Sequence, residues 1–206
     1  MIDLDLTLQL MVTRFLAGVI MATVQGLTIA AIAVLLGDKG PRYDGRLTPL
    51  PASHIDLLGL GSLVLTGFGW SKPVAIDPGE LRVGRWGLVL APIAGGLALL
   101  IAGALLVLLV IPALTLLPHT AALLVAAFLR STAQLCVWMA LFTLVPLPPL
   151  AGGHILAALG IRLPPAAGTI IGCLLLALSL LGITRMVLAP AYQLLAPLVL
   201  GANFIR

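Results

Sequence analysis

The chain has 206 residues, of which 61% are hydrophobic and 9% are charged. Soluble domains carry about a quarter charged residues, so this composition excludes a soluble enzyme and indicates an integral membrane protein. The formal net charge of +4 comes from 11 scattered Lys and Arg residues, without the aromatic-interleaved basic patch of a nucleic-acid-binding surface. We therefore expect other integral membrane protein subunits and lipids as partners, and no nucleic acid.

The length suits a single all-α polytopic membrane domain with about four full spans plus re-entrant segments. The predicted parts are a first span in 1–36, a loop with a short re-entrant segment in 37–86, a second span in 87–118, a third span with a proline-rich break in 120–162, and a last span with an apolar tail in 166–206. The last full span is placed at 166–183, and Pro190 is expected to begin the tail.

Small residues recur at four-residue spacing in two of these spans. Gly18, Ala22 and Gly26 form one such ridge in the first span, and Gly168 and Gly172 form another in the last. Ridges of this kind let helices approach closely, so they predict packing surfaces, either inside the protein or towards a partner.

The loop in 37–86 concentrates positive charge. Its basic residues are Lys39, Arg42, Arg46, Lys72, Arg82 and Arg85. The positive-inside rule therefore places this loop in the cytoplasm and the N-terminus outside. Arg130, in the third apolar run, is expected either near the outer interface, with that span starting close to it, or buried and paired, and the interface is favoured.

A broken element follows the third span. Pro146, Pro148 and Pro149 interrupt the helix, and Gly152 and Gly153 open the next one. Proline removes a backbone donor, and broken backbone at membrane depth is tolerated only where protein or a water-filled cavity satisfies it. This stretch is therefore predicted to frame a site.

The order of several motifs resembles a known family. These motifs are LLGD at 35–38, GRLTPLPASHIDLLG at 45–59, FGWSKPVAIDP at 68–78, AP at 91–92 and PLPPLAGG at 146–153. Together they resemble the short bacterial site-2 proteases, which are intramembrane zinc metalloproteases, over most of 21–156. The resemblance implies a multi-pass protein of the bacterial inner membrane.

That family binds zinc through H-E-x-x-H in the first span and an Asp in the proline-rich segment. By resemblance, these positions fall on Met21, Ala22 and Gln25, and on Ala151. None of the four supplies an imidazole or a carboxylate, so we expect no catalytic residue, no metal and no cofactor. The resemblance also assigns two Asn positions of the family to Thr143 and Gly95.

The resulting prediction is a catalytically inactive homologue, not an enzyme, that serves as an accessory or scaffold subunit of a larger membrane complex. A respiratory or photosynthetic complex is one candidate host. Two alternatives remain open. One is an active intramembrane zinc metalloprotease with a rebuilt site, and the other is a non-cleaving binder of single-span regulatory membrane proteins.

The roles of three polar side chains stay open. His54 and His154 both fall on the predicted cytoplasmic side, where a displaced metal site competes with hydrogen bonds to loop backbone or headgroups, and hydrogen bonding is favoured. Gln25 could bond across to the broken element or to a partner helix. Inward packing against Thr23, Thr28 or the freed carbonyls of the proline loop is favoured over a ligand contact.

Overall fold

The computed structural model describes residues 7–161 and 163–201. These residues form helices and connecting loops, which confirms the predicted all-α polytopic membrane class. The predicted segments 1–36, 120–162 and 166–206 each extend beyond these ranges, at 1–6, at Arg162 and at 202–206. Those parts of the predictions lie outside the described residues.

The helices fall into long and short groups. They are α1 (Leu8–Leu35), α2 (Gly40–Tyr43), α3 (Leu57–Thr66), α4 (Gly87–Leu108), α5 (Val110–Leu116), α6 (His119–Thr143), α7 (Gly153–Ala158), α8 (Pro165–Leu180) and α9 (Ile183–Leu200). Within the described ranges, four helical stretches are long and apolar enough to cross a membrane, namely Leu8–Leu35, Gly84–Leu116, His119–Thr143 and Ile183–Leu200.

The last candidate span differs from the expected one. Helix α8 has 16 residues, fewer than the ~20 needed to cross a bilayer, whereas α9 qualifies by length and composition. The left-handed Gly182 (φ 75°) separates the two helices, and Pro190 lies inside α9 rather than at the start of a tail. Arg130 lies within α6, which begins at His119, and its predicted place at the outer interface stays a prediction.

Helix α3 covers most of the segment that was predicted to be re-entrant, and it packs against α1. A Cβ built at Gly18 would lie 2.7 Å from the Leu60 side chain, so glycine is what lets the two helices touch there. At the end of α3, Arg14 donates hydrogen bonds to the carbonyls of Val64 (3.1 Å) and Leu65 (3.0 Å). These bonds satisfy carbonyls that the end of a helix would otherwise leave unpaired.

The remaining ridge glycines pack inside the chain, with one exception. Gly26 faces the ring of His54, and a Cβ at Gly172 would lie 3.2 Å from Trp70. A Cβ at Gly168, by contrast, would meet nothing within 4 Å. The first-span ridge therefore packs against α3 and against the loop that carries His54.

The proline-rich break is a compact turn that satisfies its own backbone. Helix α6 ends at Thr143, whose carbonyl accepts a hydrogen bond from the amide of Gly152 at 2.7 Å. A Cβ at Gly152 would collide with the carbonyl oxygens of Leu144 and Val145, so only glycine closes this turn. Helix α7 then starts at Gly153.

Candidate functional site

Three elements meet around Gln25, which is fully buried at 0% exposure. Its side-chain nitrogen donates to the hydroxyl of Thr143 at 2.7 Å, and its oxygen accepts from the hydroxyl of Ser71 at 3.0 Å. The Thr143 hydroxyl in turn donates to the Met139 carbonyl at 2.7 Å. The network joins α1, the segment after α3 and the end of α6.

The other positions that the resemblance singled out surround this network. A Cβ at Gly95 would lie 3.3 Å from the Gln25 side chain and 2.7 Å from Ile29. Ala151 packs on the buried cluster that contains Ile29, and Met21 lies in the adjoining cluster of α1, α4 and α6. Thr143 and Gly95 therefore lie beside Gln25, whereas Met21 and Ala151 belong to two separate buried clusters.

The residues at this meeting point do not fit a zinc ion. Zn²⁺ in proteins is held by thiolate, imidazole or carboxylate, whereas Met21, Ala22 and Gln25 offer a thioether, a methyl group and an amide. Across residues 7–161 and 163–201, no group of three or more His, Cys, Asp or Glu side chains is arranged to hold a metal. The side chains around Gln25 are therefore suited to hydrogen bonding and apolar packing.

His54 lies directly beside this network. Its Nε2 is 2.8 Å from the Thr48 carbonyl, while its buried Nδ1 has no hydrogen-bond partner. A Cβ built at Gly26 would lie 2.5 Å from that Nδ1. The ring thus occupies the space that the glycine leaves open, and the observed bond to loop backbone matches the favoured interpretation of this histidine.

A cavity of about 850 Å³ opens at the end of α1, next to the proline-rich turn. Its walls are the turn at 148–150, one face of α7, the residues Ile161, Leu163 and Pro164, and the extended segment 73–78. The segment is held firmly, because Arg46 donates to the carbonyls of Ser53 and Pro73 and the Asp77 amide donates to Asp38 at 2.8 Å.

His154 of α7 also lines this cavity. Burial lowers the pKa of its imidazole below the ordinary value, and a hydrogen bond with the backbone of Val74 opposes that shift. Because burial is the larger cause, the ring is neutral at pH 7. The carboxylates of Asp38 and Asp77 also line the cavity. Both residues fall within the quoted motifs, LLGD and VAIDP, but the motifs alone gave them no role.

Comparison with known proteins shows which family the chain belongs to. No family model matches the chain, and no solved structure matches it. The chain is 32% identical over 157 residues to the "Putative zinc metalloprotease YwhC" of Bacillus subtilis (strain 168), an alignment that covers 72% of this chain and 69% of the relative. The chain belongs to the site-2-protease-like family. It is a protease-like membrane protein with several membrane-spanning helices.

The prediction that the chain is not an enzyme is wrong. The relative is named as a zinc metalloprotease, which points to a protease rather than to a non-enzyme. That prediction depended entirely on four positions, Met21, Ala22, Gln25 and Ala151. Those positions describe one zinc site and say nothing about other groups, such as the His154 imidazole in the neighbouring cavity.

Proposed function

We propose that this chain is an intramembrane protease-like protein with a rebuilt site, and that it binds a polypeptide segment in the cavity beside the proline-rich turn. The cavity is the main observation that supports this proposal. Its volume of about 850 Å³ falls within the range of ~300–1,000 Å³ that is usual for binding pockets. It also adjoins the point where the family's site positions meet, so a segment bound there would lie against the remodelled part of the molecule.

The walls of the cavity suit an extended chain. Ile76, Leu150 and Leu156 supply apolar surface, and Pro148 and Pro149 lack amide hydrogens that would need a partner. The segment 73–78 is fixed at Pro73 and Asp77, so little conformational entropy is lost when a ligand packs against it.

The proposed proton acceptor of the rebuilt site is His154. Its ring lines the cavity, and a neutral imidazole can take a proton from a water molecule that attacks the carbonyl carbon of a bound amide. As the C–N bond breaks, the ring returns that proton to the departing amine, so the products are one carboxylic acid and one amine. This assigns a role to a residue that touches the bound segment, and it does not require a metal.

Photo-crosslinking tests whether a peptide binds in the cavity, and product analysis of the same sample tests whether the peptide is cleaved. A benzoylphenylalanine at Ile76 or Leu156 should crosslink a labelled single-span peptide in detergent, whereas one at Leu116, which is 81% exposed on α5, should not. Mass spectrometry should find new peptide termini with the wild type and with His119→Gln, and far fewer with His154→Gln. Absence of cavity crosslinks would overturn the binding proposal, and crosslinks without any cleavage would overturn the rebuilt site.

We also propose that the protein lies in the bacterial inner membrane with its N-terminus outside and the cavity facing the cytoplasm. The six basic residues of the loop in 37–86 support this orientation. A Lys72→Cys variant should react with a membrane-impermeant reagent only in inside-out vesicles. Reaction in intact spheroplasts would reverse the orientation.

The predicted partners, other integral membrane proteins and lipids, stay a prediction, as does membership of a larger complex. Purification in mild detergent from native membranes, followed by mass spectrometry, distinguishes a fixed subunit from a binder of changing clients. A stoichiometric companion would support complex membership.

A further inference from the structure

Two arginines lie close together where α1 and α9 begin. Arg14 lies about 9 Å along α1 from the first residue of that helix, and Arg185 is the third residue of α9. Their positive charges are close enough to repel each other. Because both helices are long and apolar enough to cross a membrane, this repulsion acts beside lipid, where charges are screened less than in water.

No carboxylate among the described residues pairs with these two charges. The acidic residues of the described ranges all fall between Asp38 and Glu80, in the loop that carries the cavity, and the sequence has no Asp or Glu after Glu80. Asp3 and Asp5 lie outside the described residues. Within 7–161 and 163–201, the start of α9 therefore carries positive charge that no acidic side chain balances.

Both arginines keep hydrogen-bond donors that are not used. Arg14 employs one nitrogen, Nη1, for the carbonyls of Val64 and Leu65. Its Nε and Nη2 donate no hydrogen bond in the described part of the chain, and neither does the exposed side chain of Arg185. A guanidinium carries five N–H donors in a planar fork that matches the geometry of phosphate oxygens. The two side chains can therefore accept an oxyanion as a ligand without giving up any contact they already make.

Aromatic rings hold Arg185 beside the end of α3 that Arg14 caps. The guanidinium carbon of Arg185 lies 5.6 Å from the centre of the Trp138 ring, within the range of a cation–π interaction. Trp138 stacks on Tyr192 at 4.0 Å, with 5° between the ring planes. Phe68, two residues beyond the end of α3, meets Trp138 edge-on at 5.5 Å. Trp and Tyr are enriched where a membrane protein meets lipid headgroups, so this platform suits a headgroup contact.

The start of α9 strengthens the case for an anion with apolar chains. The N-terminus of a helix carries roughly half a positive charge from its aligned peptide dipoles, which favours an anion and disfavours an arginine. Gly182 at the N-cap has no side chain that could supply negative charge. The residues that follow Arg185, Met186 (77% exposed) and Val187 (66% exposed), are apolar and open to lipid.

We propose that Arg14 and Arg185 bind the headgroup phosphate of an anionic phospholipid, whose acyl chains lie against the exposed apolar side chains of α9. One phosphodiester has oxygens for both guanidinium groups and relieves their repulsion. A lipid with net negative charge is preferred, because the cationic amine of a zwitterionic lipid would face the second arginine. The site is separate from the cavity beside the proline-rich turn, since neither arginine lines that cavity.

Native mass spectrometry of the purified full chain tests this site by counting the lipids that the chain retains from detergent micelles. Phosphatidylglycerol should be retained about tenfold more strongly than phosphatidylcholine with the same acyl chains, as expected for one additional charge-assisted contact. Arg185→Gln alters an exposed side chain and should lower phosphatidylglycerol retention by a similar factor. Arg185→Lys keeps the charge but not the fork, so its retention should lie in between.

Arg85→Gln is the matched control. Arg85 is also exposed, but it belongs to the loop in 37–86, and the variant should retain phosphatidylglycerol as the wild type does. Circular dichroism and gel filtration check that each variant is folded. Equal retention by the wild type and Arg185→Gln, or an equal loss in Arg85→Gln, would overturn the site.

Three further outcomes would assign these arginines differently. Equal retention of both lipids would overturn the preference for an anionic headgroup. Displacement of phosphatidylglycerol by excess inorganic phosphate would identify a site for a free phosphate ion instead of a lipid. A tenfold rise in retention by the variant Asp3→Asn with Asp5→Asn would show that those carboxylates are the partners of the arginines in the wild type.

Discussion

The amide nitrogen of Gln25 lies 2.7 Å from the hydroxyl oxygen of Thr143, and this hydrogen bond ties the middle of α1 to the last residue of α6. The Thr143 carbonyl also accepts a hydrogen bond from the Gly152 amide, so the same residue anchors both the first span and the proline-rich turn. The polar contact takes the place where the family's metal site is assigned. It keeps the turn, and hence the neighbouring cavity, in position.

Replacing Gln25 by Ala should destabilise the protein by about 1–3 kcal/mol, because the Ser71 hydroxyl would be left buried without its acceptor. Thr28→Val is the matched control, since the Thr28 hydroxyl bonds only the Val24 carbonyl in its own helix. Unfolding in mixed micelles measures both variants. Equal stability of Gln25→Ala and wild type would show that the network does not hold the fold.

Gly26→Ala should also destabilise the protein, by about 1–3 kcal/mol, because the added methyl group would overlap the ring of His54. Gly61→Ala in α3 is the control, since a Cβ there meets nothing within 4 Å. The pair His54→Ala with Gly26→Ala should recover part of the loss. Thermal melts of the purified variants rank their stabilities. A Gly26→Ala variant as stable as the wild type would contradict the close contact with His54.

Restoring the family's ligands should create a zinc site. The variant with Met21→His, Ala22→Glu, Gln25→His and Ala151→Asp should bind about one zinc per chain, because three ligands and a water complete a tetrahedral site. Leaving out Ala151→Asp should weaken binding. Elemental analysis after dialysis measures zinc, and a folded variant that takes up none would show that these four positions do not converge as the assignment requires.

Acid should weaken the fold through His154. Its folded pKa is lowered mainly by burial, so the unfolded chain binds more protons between that pKa and about 6.5. The stability that the buried, neutral His154 ring contributes is fully present above about pH 6.5, and it is lost as the pH falls through this window. The free energy of unfolding should therefore drop less between pH 7.5 and 5 for His154→Gln than for wild type or His119→Gln. Identical pH profiles in all three would contradict the shift.

Part of this architecture follows directly from the sequence. Apolar runs long enough to cross a bilayer predict the spans, and three prolines in four positions predict the broken element. Motif order predicts the family. Each of these signals is local, so no tertiary information is needed to detect it.

Other features depend on how distant parts of the chain meet. The boundary between α8 and α9 depends on Gly182 in a left-handed turn, while Pro190 and its neighbours had suggested an irregular tail. The cavity forms only where residues 38–44, 73–80, 148–161 and 163–164 meet, and no periodicity in these segments predicts it. The prediction of no enzyme weighed four positions alone, and the relative named as a zinc metalloprotease contradicts it.

The decisive measurement is a structure of the full chain crosslinked to a single-span peptide. We expect density for an extended chain between the proline-rich turn at 148–150 and the segment 73–78. Peptide density against α5 or another lipid-facing helix, with the cavity empty, would contradict the proposed binding site.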